Sequence, residues 1–381
     1  MRACYRARMS EPIRLVDLQA QHAEVREEID ARVKEVFDSG AYILGPQAAA
    51  FEREFANYLG VGHVAAVNSG TDALILALDA VRLRHGPGDV ITTPFTFFAT
   101  AEAVLQAGHG LVFADIEADS FNLDPEAAAA AVTPETVAIL PVHLYGACAD
   151  VDALARDDLA IVEDAAQSVG ATYKGKAAGG LGMAGCFSFY VTKNLGAAGD
   201  AGCITTNDAE VDEMVRSLRA HGEVRIDQGR SYHYLRIGRN SRMDGIQAAV
   251  LRVKLAKLEE WQAKREANAA AYNERLAGID GLVPPPAAKF GRHVYHQYVV
   301  RAQRREELIG ALGDEGIETR TFYPQALHVQ PALEGLGFRK GQFPVAEAAC
   351  EEVMSLPCHA HLGEGDLDRV VNAIRRFYGA A

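Results

Sequence analysis

The stretch HVAAVNSGTDALILALDAV, residues 63–81, contains the pattern that decides the fold. An apolar run at 63–67 is followed by a polar turn and then by a helical pattern at 71–81. The same unit recurs where VITTPF at 90–95 precedes a helical pattern at 96–108. Short apolar runs that alternate with helices are typical of a mostly parallel sheet covered by helices on both faces. We therefore predict an α/β fold.

Similar units continue on both sides of this stretch. Further strands are predicted at 111–115, 137–145, 159–165, 186–191 and 202–206, and further helices at 24–37, 47–59, 126–131 and about 242–276. Together they predict a large domain at residues 10–250, preceded by a loose tail at 1–9.

The composition changes near Gly281, where three prolines stand at 284–286. The segments that follow are a predicted strand at 293–302, a helix at 305–316, a strand at 317–323 and helices near 345–354 and 365–378. These elements predict a smaller α+β C-terminal domain, which we assign to residues 251–381.

Composition and charge exclude several classes of protein. Apolar residues make up 49% and charged residues 23% of the 381 residues, so the chain is neither disordered nor fibrous. No apolar run approaches the roughly 18 residues that a membrane span needs. The net charge of −13 argues against a nucleic-acid binder. Six scattered cysteines without a CxxC spacing, and no secretory signal, predict reduced thiols and a cytoplasmic location.

Two motifs are present without the context that their chemistry needs. The segment Gly180–Gly185 matches GxGxxG, but it lies between a turn and a predicted strand rather than between a strand and a helix, so we do not expect a dinucleotide site. Cys358, His359 and His361 lie in a loop and have no fourth ligand at a standard spacing. We expect no metal site there.

Among the nine lysines, Lys193 stands apart because it follows an apolar run and precedes a glycine-rich turn in FSFYVTKNLGAAGDAG. A lysine at a strand end among small residues can lose hydration, which lowers its pKa. An uncharged amine is the condition for a nucleophile that forms Schiff bases. A solvated lysine is the alternative interpretation.

The turn at 69–72 predicts a phosphate site, because backbone N–H groups at the start of a helix can bind an anion. A plain N-cap by Ser69 or Thr71 is the alternative. Asp164 ends a strongly apolar strand, where a carboxylate is costly unless it meets a cation. The protonated ring nitrogen of pyridoxal phosphate is such a cation, whereas a buried Asp that caps the next turn is the simpler interpretation.

Five motifs, NSGTDAL, TTPFTFFAT, VEDAAQSVGA, SFYVTKNLGAAGDAG and IGRNSRMDGIQAAVL, follow each other in an order and spacing that resemble the DegT/DnrJ/EryC1/StrS family of pyridoxal-phosphate sugar aminotransferases. The resemblance runs from about Ile13 to the end of the chain. It implies the fold-type-I aminotransferase architecture, with pyridoxal 5′-phosphate as cofactor. It also implies a homodimer with both active sites at the subunit interface.

The resemblance assigns roles to individual residues. Lys193 matches the catalytic Schiff-base lysine, and Asn240 matches a residue that reaches the cofactor phosphate from the other subunit. The other cofactor-binding residues that it implies are Gly70, Thr71, Asp72, Phe97, Asp164, Gln167 and Ser188, and the substrate-binding residues are Arg242, Tyr323 and His328. Two positions depart from the pattern: Val191 replaces a usual proline, and Phe322 stands where some relatives carry a His.

The implied reaction moves an amino group from L-glutamate to a keto sugar nucleotide through a pyridoxamine form of the cofactor. The stretch at 221–242 resembles family members that act at C3, and its arginines, Arg225, Arg230, Arg236, Arg239 and Arg242, could bind the diphosphate or form a solvated surface run. A 4-keto acceptor, a dehydratase and a non-catalytic regulator are the alternatives; Lys193 argues against the dehydratase. Both O-antigen and antibiotic deoxysugar synthesis fit such an enzyme.

Overall fold

The structure is a computed structural model that describes residues 11–224, 231–363 and 365–380. The predicted tail at 1–9 lies outside the described residues, as do Arg225 and Arg230. The first part of the chain contains, in order, α1 (Leu18–Ser39), α2 (Pro46–Leu59), β1 (His63–Val67), α3 (Gly70–His85), β2 (Asp89–Thr92), α4 (Ala99–Gln106), β3 (Gly110–Phe113), α5 (Pro125–Ala131), β4 (Thr136–Ile139), α6 (Val151–Leu154), β5 (Ala160–Asp164), β6 (Thr172–Tyr173), β7 (Lys176–Ala177), β8 (Ala184–Ser188), β9 (Gly202–Thr206) and α7 (Ala209–Leu218).

The second part contains fewer and shorter strands. Its elements are α8 (Gly245–Leu276), β10 (Leu282–Val283), β11 (Tyr298–Ala302), α9 (Arg305–Asp314), α10 (Pro344–Glu352), β12 (Val353–Leu356) and α11 (Asp366–Tyr378). Short 3-10 turns occur at Leu144–Gly146, Leu327–Val329 and Pro331–Leu336. No helix in the described ranges is both long and apolar enough to cross a membrane.

A seven-stranded sheet organises the first part, in the order β1-β9-β8-β5-β4-β2-β3. Only β9 runs antiparallel to its neighbours β1 and β8, and the other pairs are parallel. The prediction of a mostly parallel sheet is therefore confirmed. Because β2, β4, β5 and β8 run in the same direction, their carboxyl ends meet at one edge, which is where ligands bind in open α/β sheets.

Helices cover both faces of this sheet. On one face α3 contributes a continuous buried stripe, which includes Leu76 and Leu78, and it packs against the strands together with α4 and α7. On the other face α2 and α8 pack on a cluster of phenylalanine rings, with Phe55 lying edge-on to Phe187 at 5.2 Å between ring centroids. The predicted burial of the sheet on both sides is therefore confirmed.

The long helix α8 joins the two parts of the fold. Its first half, with Leu251 and Leu258, packs on the core of the large sheet, whereas Tyr272 and Leu276 pack on the core of the C-terminal part. That second core also includes Ile13, so the start of the described chain returns to the C-terminal part. The division into domains at residue 250 falls inside α8 and stays a prediction.

Three predicted elements differ from those observed. The strand predicted at 137–145 ends at Ile139, because Pro141 has no N–H for the ladder. The strand predicted at 293–302 begins only at Tyr298. The segment 317–323 forms isolated bridges instead of a strand. In addition, six elements were not predicted: α6, α7, β6, β7, β10 and β12.

Candidate active site

A cavity of about 470 Å³ opens at the carboxyl edge of the large sheet. Its walls come from the start of α3, the segment before α4, the residues after β5 and β8, and two segments of the C-terminal part. Of the predicted site residues, the cavity is lined by Gly70, Thr71, Phe97, Asp164, Gln167, Ser188, Lys193 and Tyr323. Eight residues that lie far apart in the sequence therefore share one concave site.

Lys193 lies five residues beyond the end of β8 at Ser188, in a turn held by a hydrogen bond from its own N–H to the carbonyl of Tyr190, at 2.8 Å. Burial lowers the pKa of its ammonium group to about 8, while the negative charge of Asp164 acts in the opposite direction. At pH 7 roughly a tenth of the side chain is therefore an uncharged amine, far more than for a lysine with the ordinary pKa of 10.5.

Asp164 is the last residue of β5 and is 5% exposed. Its Oδ2 accepts a hydrogen bond from the hydroxyl of Thr100 at 2.8 Å, and its Oδ1 accepts one from the N–H of Ala166 at 3.2 Å. Burial raises the pKa of this carboxyl, and the two hydrogen bonds oppose that rise. A carboxylate has about four acceptor positions, so Asp164 can still accept from a cationic N–H donor in the cavity.

The start of α3 forms the opposite end of the cavity. The hydroxyl of Ser69 caps the helix by accepting from the N–H of Asp72 at 3.1 Å, so the predicted N-cap is present. The first N–H groups of a helix have no intrahelical acceptor, and Gly70 and Thr71 carry these groups at the cavity wall. A Cβ on Gly70 would lie 2.6 Å from the Cβ of Ser188, so only glycine permits this approach.

Gln167 is fixed by a chain of hydrogen bonds. Its Oε1 accepts from the backbone N–H of Tyr145 at 2.8 Å, and its Nε2 donates to the hydroxyl of Tyr323 at 3.1 Å. The hydroxyl of Tyr145 in turn donates to the carbonyl of Phe322. Burial raises the pKa of Tyr323, which keeps its hydroxyl protonated and able to donate. The cavity therefore contains a pre-oriented amide and a neutral phenol.

Phe97 presents an open aromatic face to the cavity. Its side chain is 60% exposed, and its ring lies 6.5 Å from that of Tyr323, centroid to centroid. A planar aromatic ligand can stack on such a face. Tyr190, which is 49% exposed, is a second aromatic group at the same cavity.

Four predicted site residues do not line this cavity. Asp72, in the first turn of α3, does not line the cavity, and Asn240 is exposed next to Ser241, which hydrogen bonds to Asn68. Arg242 is half-buried, and no hydrogen-bond partner of its Nε is found among the described residues. These positions lie away from the cavity of their own chain.

His328 also lies outside the cavity. Its side chain is completely buried, with Nε2 at 3.0 Å from Oε1 of Glu347 and its ring packed edge-on against Phe343 at 4.8 Å. The segment is anchored by the N–H of Leu327, which donates to the carbonyl of Pro94. In the structure His328 therefore packs in the interior, whereas the resemblance assigned it to the substrate.

Several lining residues were not predicted from the sequence. They are Thr96, Thr100, Tyr190, Asp200, His296, Gln297 and Phe322. The threonines and Phe322 stand in stretches that the sequence had already singled out, whereas His296 stood inside a predicted strand and gave no separate signal. Among the described residues, Lys193 is the only lysine or arginine that lines the cavity.

The glycine-rich segment that matches GxGxxG has a structural role. The N–H groups of Gly179, Leu181 and Gly182 donate to the buried carboxylate of Glu163 at 2.6 to 2.8 Å. His143 donates to the same carboxylate from Nε2 at 2.8 Å, since its Nδ1 accepts from the N–H of Ala149. The turn thus binds an internal anion of the protein.

The model of the DegT/DnrJ/EryC1/StrS aminotransferase family matches residues 23–375. The chain is 43% identical to a dTDP-3-amino-3,4,6-trideoxy-alpha-D-glucose transaminase of Streptomyces venezuelae, over 95% of each protein. It is 44% identical to a "Pleiotropic regulatory protein" of Geobacillus stearothermophilus, over 96% of this chain and 98% of that protein. The solved structure of DesV from S. venezuelae in complex with a ketimine intermediate superposes with a TM-score of 0.93 and is 42% identical, over 98% of this chain and 100% of that chain.

Proposed function

We propose that this chain, which belongs to the DegT/DnrJ/EryC1/StrS aminotransferase family, transfers an amino group from L-glutamate to a 3-keto hexose linked to a nucleoside diphosphate. The family makes the chain a sugar nucleotide aminotransferase with pyridoxal 5′-phosphate as cofactor. The proposal adds the amino donor, the keto position, the homodimer and the roles of individual residues.

One observation carries the residue assignments: Lys193, Asp164 and the start of α3 face a single cavity. They match the three chemical features of the cofactor. The buried Asp164 suits the protonated ring nitrogen, the N–H groups of Gly70 and Thr71 suit the phosphate, and Lys193 suits the aldehyde carbon. When bound, the cofactor supplies an electron sink that stabilises a carbanion on the substrate.

The residues of the chain then have distinct tasks. Nζ of Lys193 removes the proton from the α-carbon of the amino donor in the first half-reaction and returns a proton to the former keto carbon of the sugar in the second. Its pKa of about 8 makes both directions accessible near neutral pH. The hydroxyl of Tyr323 can donate a hydrogen bond into the cavity, because its oxygen already accepts one from Nε2 of Gln167. The aromatic side chain of Phe97 would stack on one face of the cofactor ring.

A second copy of the chain completes the site in this proposal. Glutamate and the sugar diphosphate carry negative charges, whereas Lys193 is the only lysine or arginine that the described chain places at its own cavity. The segment 231–242 carries exposed apolar side chains, including Ile237 at 98% and Leu235 at 62%, next to Asn240 and Arg242. Exposed apolar groups of this density mark an interface. We therefore place Asn240 and Arg242 of the partner subunit at the cavity.

Two features favour C3 over C4 as the aminated carbon. The stretch at 221–242 resembles that of members acting at C3. The S. venezuelae transaminase, which is 43% identical, is named for a 3-amino sugar. A regulator that retains the cofactor is the second candidate, favoured by the name of the G. stearothermophilus relative. Lys193 and Asp164, both present in the cavity, favour catalysis.

The test uses the purified, cofactor-loaded protein. L-glutamate should bleach the visible band of the lysine-bound cofactor, and the resulting aminated form should convert 3-keto sugar nucleotides, but not 4-keto ones, to amino sugars detected by mass spectrometry. Bleaching without conversion of any sugar in the panel would favour the regulator, and conversion of 4-keto sugars alone would overturn the C3 assignment.

A matched pair of lysine variants tests the central residue. Lys193→Ala should abolish turnover in a folded protein, whereas Lys174→Ala should leave it unchanged, because Lys174 is an exposed lysine paired with Asp152 at 2.6 Å. Turnover by the Lys193→Ala variant at the wild-type rate would contradict the mechanism.

A further inference from the structure

His296 lies in the same cavity as Lys193 but has no part in the mechanism above. It precedes β11 and is 9% exposed. Its neighbours are anchored to the 3-10 turn Leu144–Gly146: the N–H of Val294 donates to the carbonyl of Gly146 at 3.0 Å, and the N–H of Gln297 donates to that of Tyr145 at 3.3 Å. The imidazole is therefore held in a fixed place against the cavity.

The side chain of Asn194 determines which nitrogen of His296 carries the hydrogen. Nδ2 of Asn194 donates to the carbonyl of Val294 at 3.0 Å, and a carbonyl can only accept. Oδ1 of Asn194 must then be the atom that lies 3.1 Å from Nδ1 of His296. An amide oxygen also only accepts, so Nδ1 carries the hydrogen. In the neutral ring, Nε2 is consequently left with a free lone pair.

The surroundings keep the ring neutral. Burial lowers the pKa of His296 well below its usual range, and the positive charges of Lys193 and Arg265 act in the same direction. Arg265 lies buried on α8, where its guanidinium donates to the carbonyls of Tyr295 and Cys358. Across the cavity, Asp164 is the carboxylate that acts on Lys193. Among the described residues none, Lys193 included, donates to Nε2 of His296 in this structure, which leaves this lone pair available to a Lys193 side chain that turns toward it.

We propose that His296 is a positioning residue for Lys193: its Nε2 accepts a hydrogen bond from the free amine of Lys193 and thereby turns the lone pair of Nζ toward the substrate carbon that loses or gains the proton. Asn194, the next residue after Lys193, sets the tautomer that makes this possible. Two consecutive residues therefore define the contact: Lys193 is the donor, and Asn194 orients the acceptor His296. The inference rests on the proposed function, since Lys193 transfers protons to and from a substrate carbon only in that reaction.

The first experiment needs neither cofactor nor turnover. In the cofactor-free protein, acetylation of Lys193 by acetic anhydride is followed by mass spectrometry across pH, with Lys174 as the internal reference. A neutral acceptor stabilises the ammonium form, so His296→Leu should lower the apparent pKa of Lys193 by about one unit. His296→Gln, whose amide oxygen can accept, should stay near the wild-type value. Equal apparent pKa values in all three proteins would overturn the inference.

The second experiment measures the half-reaction with L-glutamate. His296→Leu should lower the rate constant about 10- to 100-fold with little change in the KM for glutamate, because a misplaced Nζ affects proton transfer and not substrate binding. His296→Gln should recover most of the rate. A rise in KM with an unchanged rate constant would show that His296 contacts the substrate instead, and would overturn the proposal.

A variant of Asn194 keeps the test decisive if His296→Leu does not fold. Asn194→Ala leaves the imidazole in place but frees its tautomer, so the rate constant should fall severalfold while thermal unfolding stays cooperative. A wild-type rate in Asn194→Ala would refute the inference. Failure of the wild-type protein itself to aminate any keto sugar would instead count against the proposed function, since the acetylation result does not depend on it.

Discussion

The contact between Gly70 and Ser188 provides a sharp test of the phosphate site. In Gly70→Ala the new Cβ would lie 2.6 Å from the Cβ and 3.1 Å from the Cα of Ser188. Carbon atoms normally approach to about 3.5–4.0 Å, so the start of α3 would have to move by roughly 1 Å. Such a shift would remove at least one of the hydrogen bonds that we propose between the helix N–H groups and the phosphate.

The size of the effect follows from that lost bond. A hydrogen bond to a charged group contributes about 1.5–3 kcal/mol, so the Kd for pyridoxal phosphate should rise roughly 10- to 150-fold in Gly70→Ala. Overpacking should also lower the free energy of unfolding by about 1–3 kcal/mol. The affinity is measured by absorbance titration of the cofactor-free protein, and the stability by urea denaturation.

Gly310 offers a matched control. It lies in α9, and a Cβ there would meet no atom within 4 Å. Gly310→Ala should therefore leave the cofactor affinity unchanged and raise the free energy of unfolding by about 0.5–1 kcal/mol, the usual gain when alanine replaces glycine in a helix. If Gly70→Ala bound the cofactor as tightly as Gly310→Ala does, the start of α3 would not be the phosphate site.

Three further predictions concern the amine, the buried carboxylate and the interface. In the proposed function, pyridoxal phosphate is captured by the unprotonated amine of Lys193, whose folded-state pKa is about 8 rather than 10.5. The rate of capture should therefore rise about tenfold per pH unit below pH 8 and level off above it; a continued rise toward pH 10 would contradict the lowered pKa. Glu163→Gln should lower the free energy of unfolding in urea by about 3 kcal/mol or more, because it removes a buried charge that four donors bind. Glu260→Gln, at an exposed ion pair with Lys264, should leave it nearly unchanged. Mixed dimers of Lys193→Ala and Asn240→Ala chains should exceed the activity of either parent, since one of their two sites would retain both residues; mixed dimers that form without any gain would disprove the shared site.

Much of the large sheet could be predicted from the sequence because its signals are local. The apolar runs at 63–67 and 202–206 coincide with β1 and β9, and each is bounded by turn residues. The segment 317–323 fails for the opposite reason. It alternates and contains β-formers, yet Ile317 bridges Ile13 and Arg320 bridges Ser355, so its pairing depends on partners far away in the chain.

The site shows the same division between local and non-local information. Lys193 and Asp164 were identifiable because a charge at the end of an apolar strand needs an explanation wherever it occurs. His296 carried no such signal, since a histidine in a strand-like stretch is unremarkable until Asn194 is found opposite its Nδ1. For His328 the family resemblance implied a contact with the substrate, whereas the packing of Glu347 and Phe343 around the ring places it in the interior.

The two carboxylates at the end of β5 have different roles, which only the three-dimensional structure can distinguish. Glu163 and Asp164 are consecutive, so the alternation of a strand directs them to opposite faces of the sheet. Four donors surround Glu163, which fills its acceptor positions and makes it part of the framework. Asp164 receives two, from Thr100 and Ala166, and keeps capacity toward the cavity. A cation stabilises the charged form of a buried carboxylate with unused acceptor positions, and in the lysine-bearing cavity beside Asp164 the ring nitrogen of the cofactor would provide one.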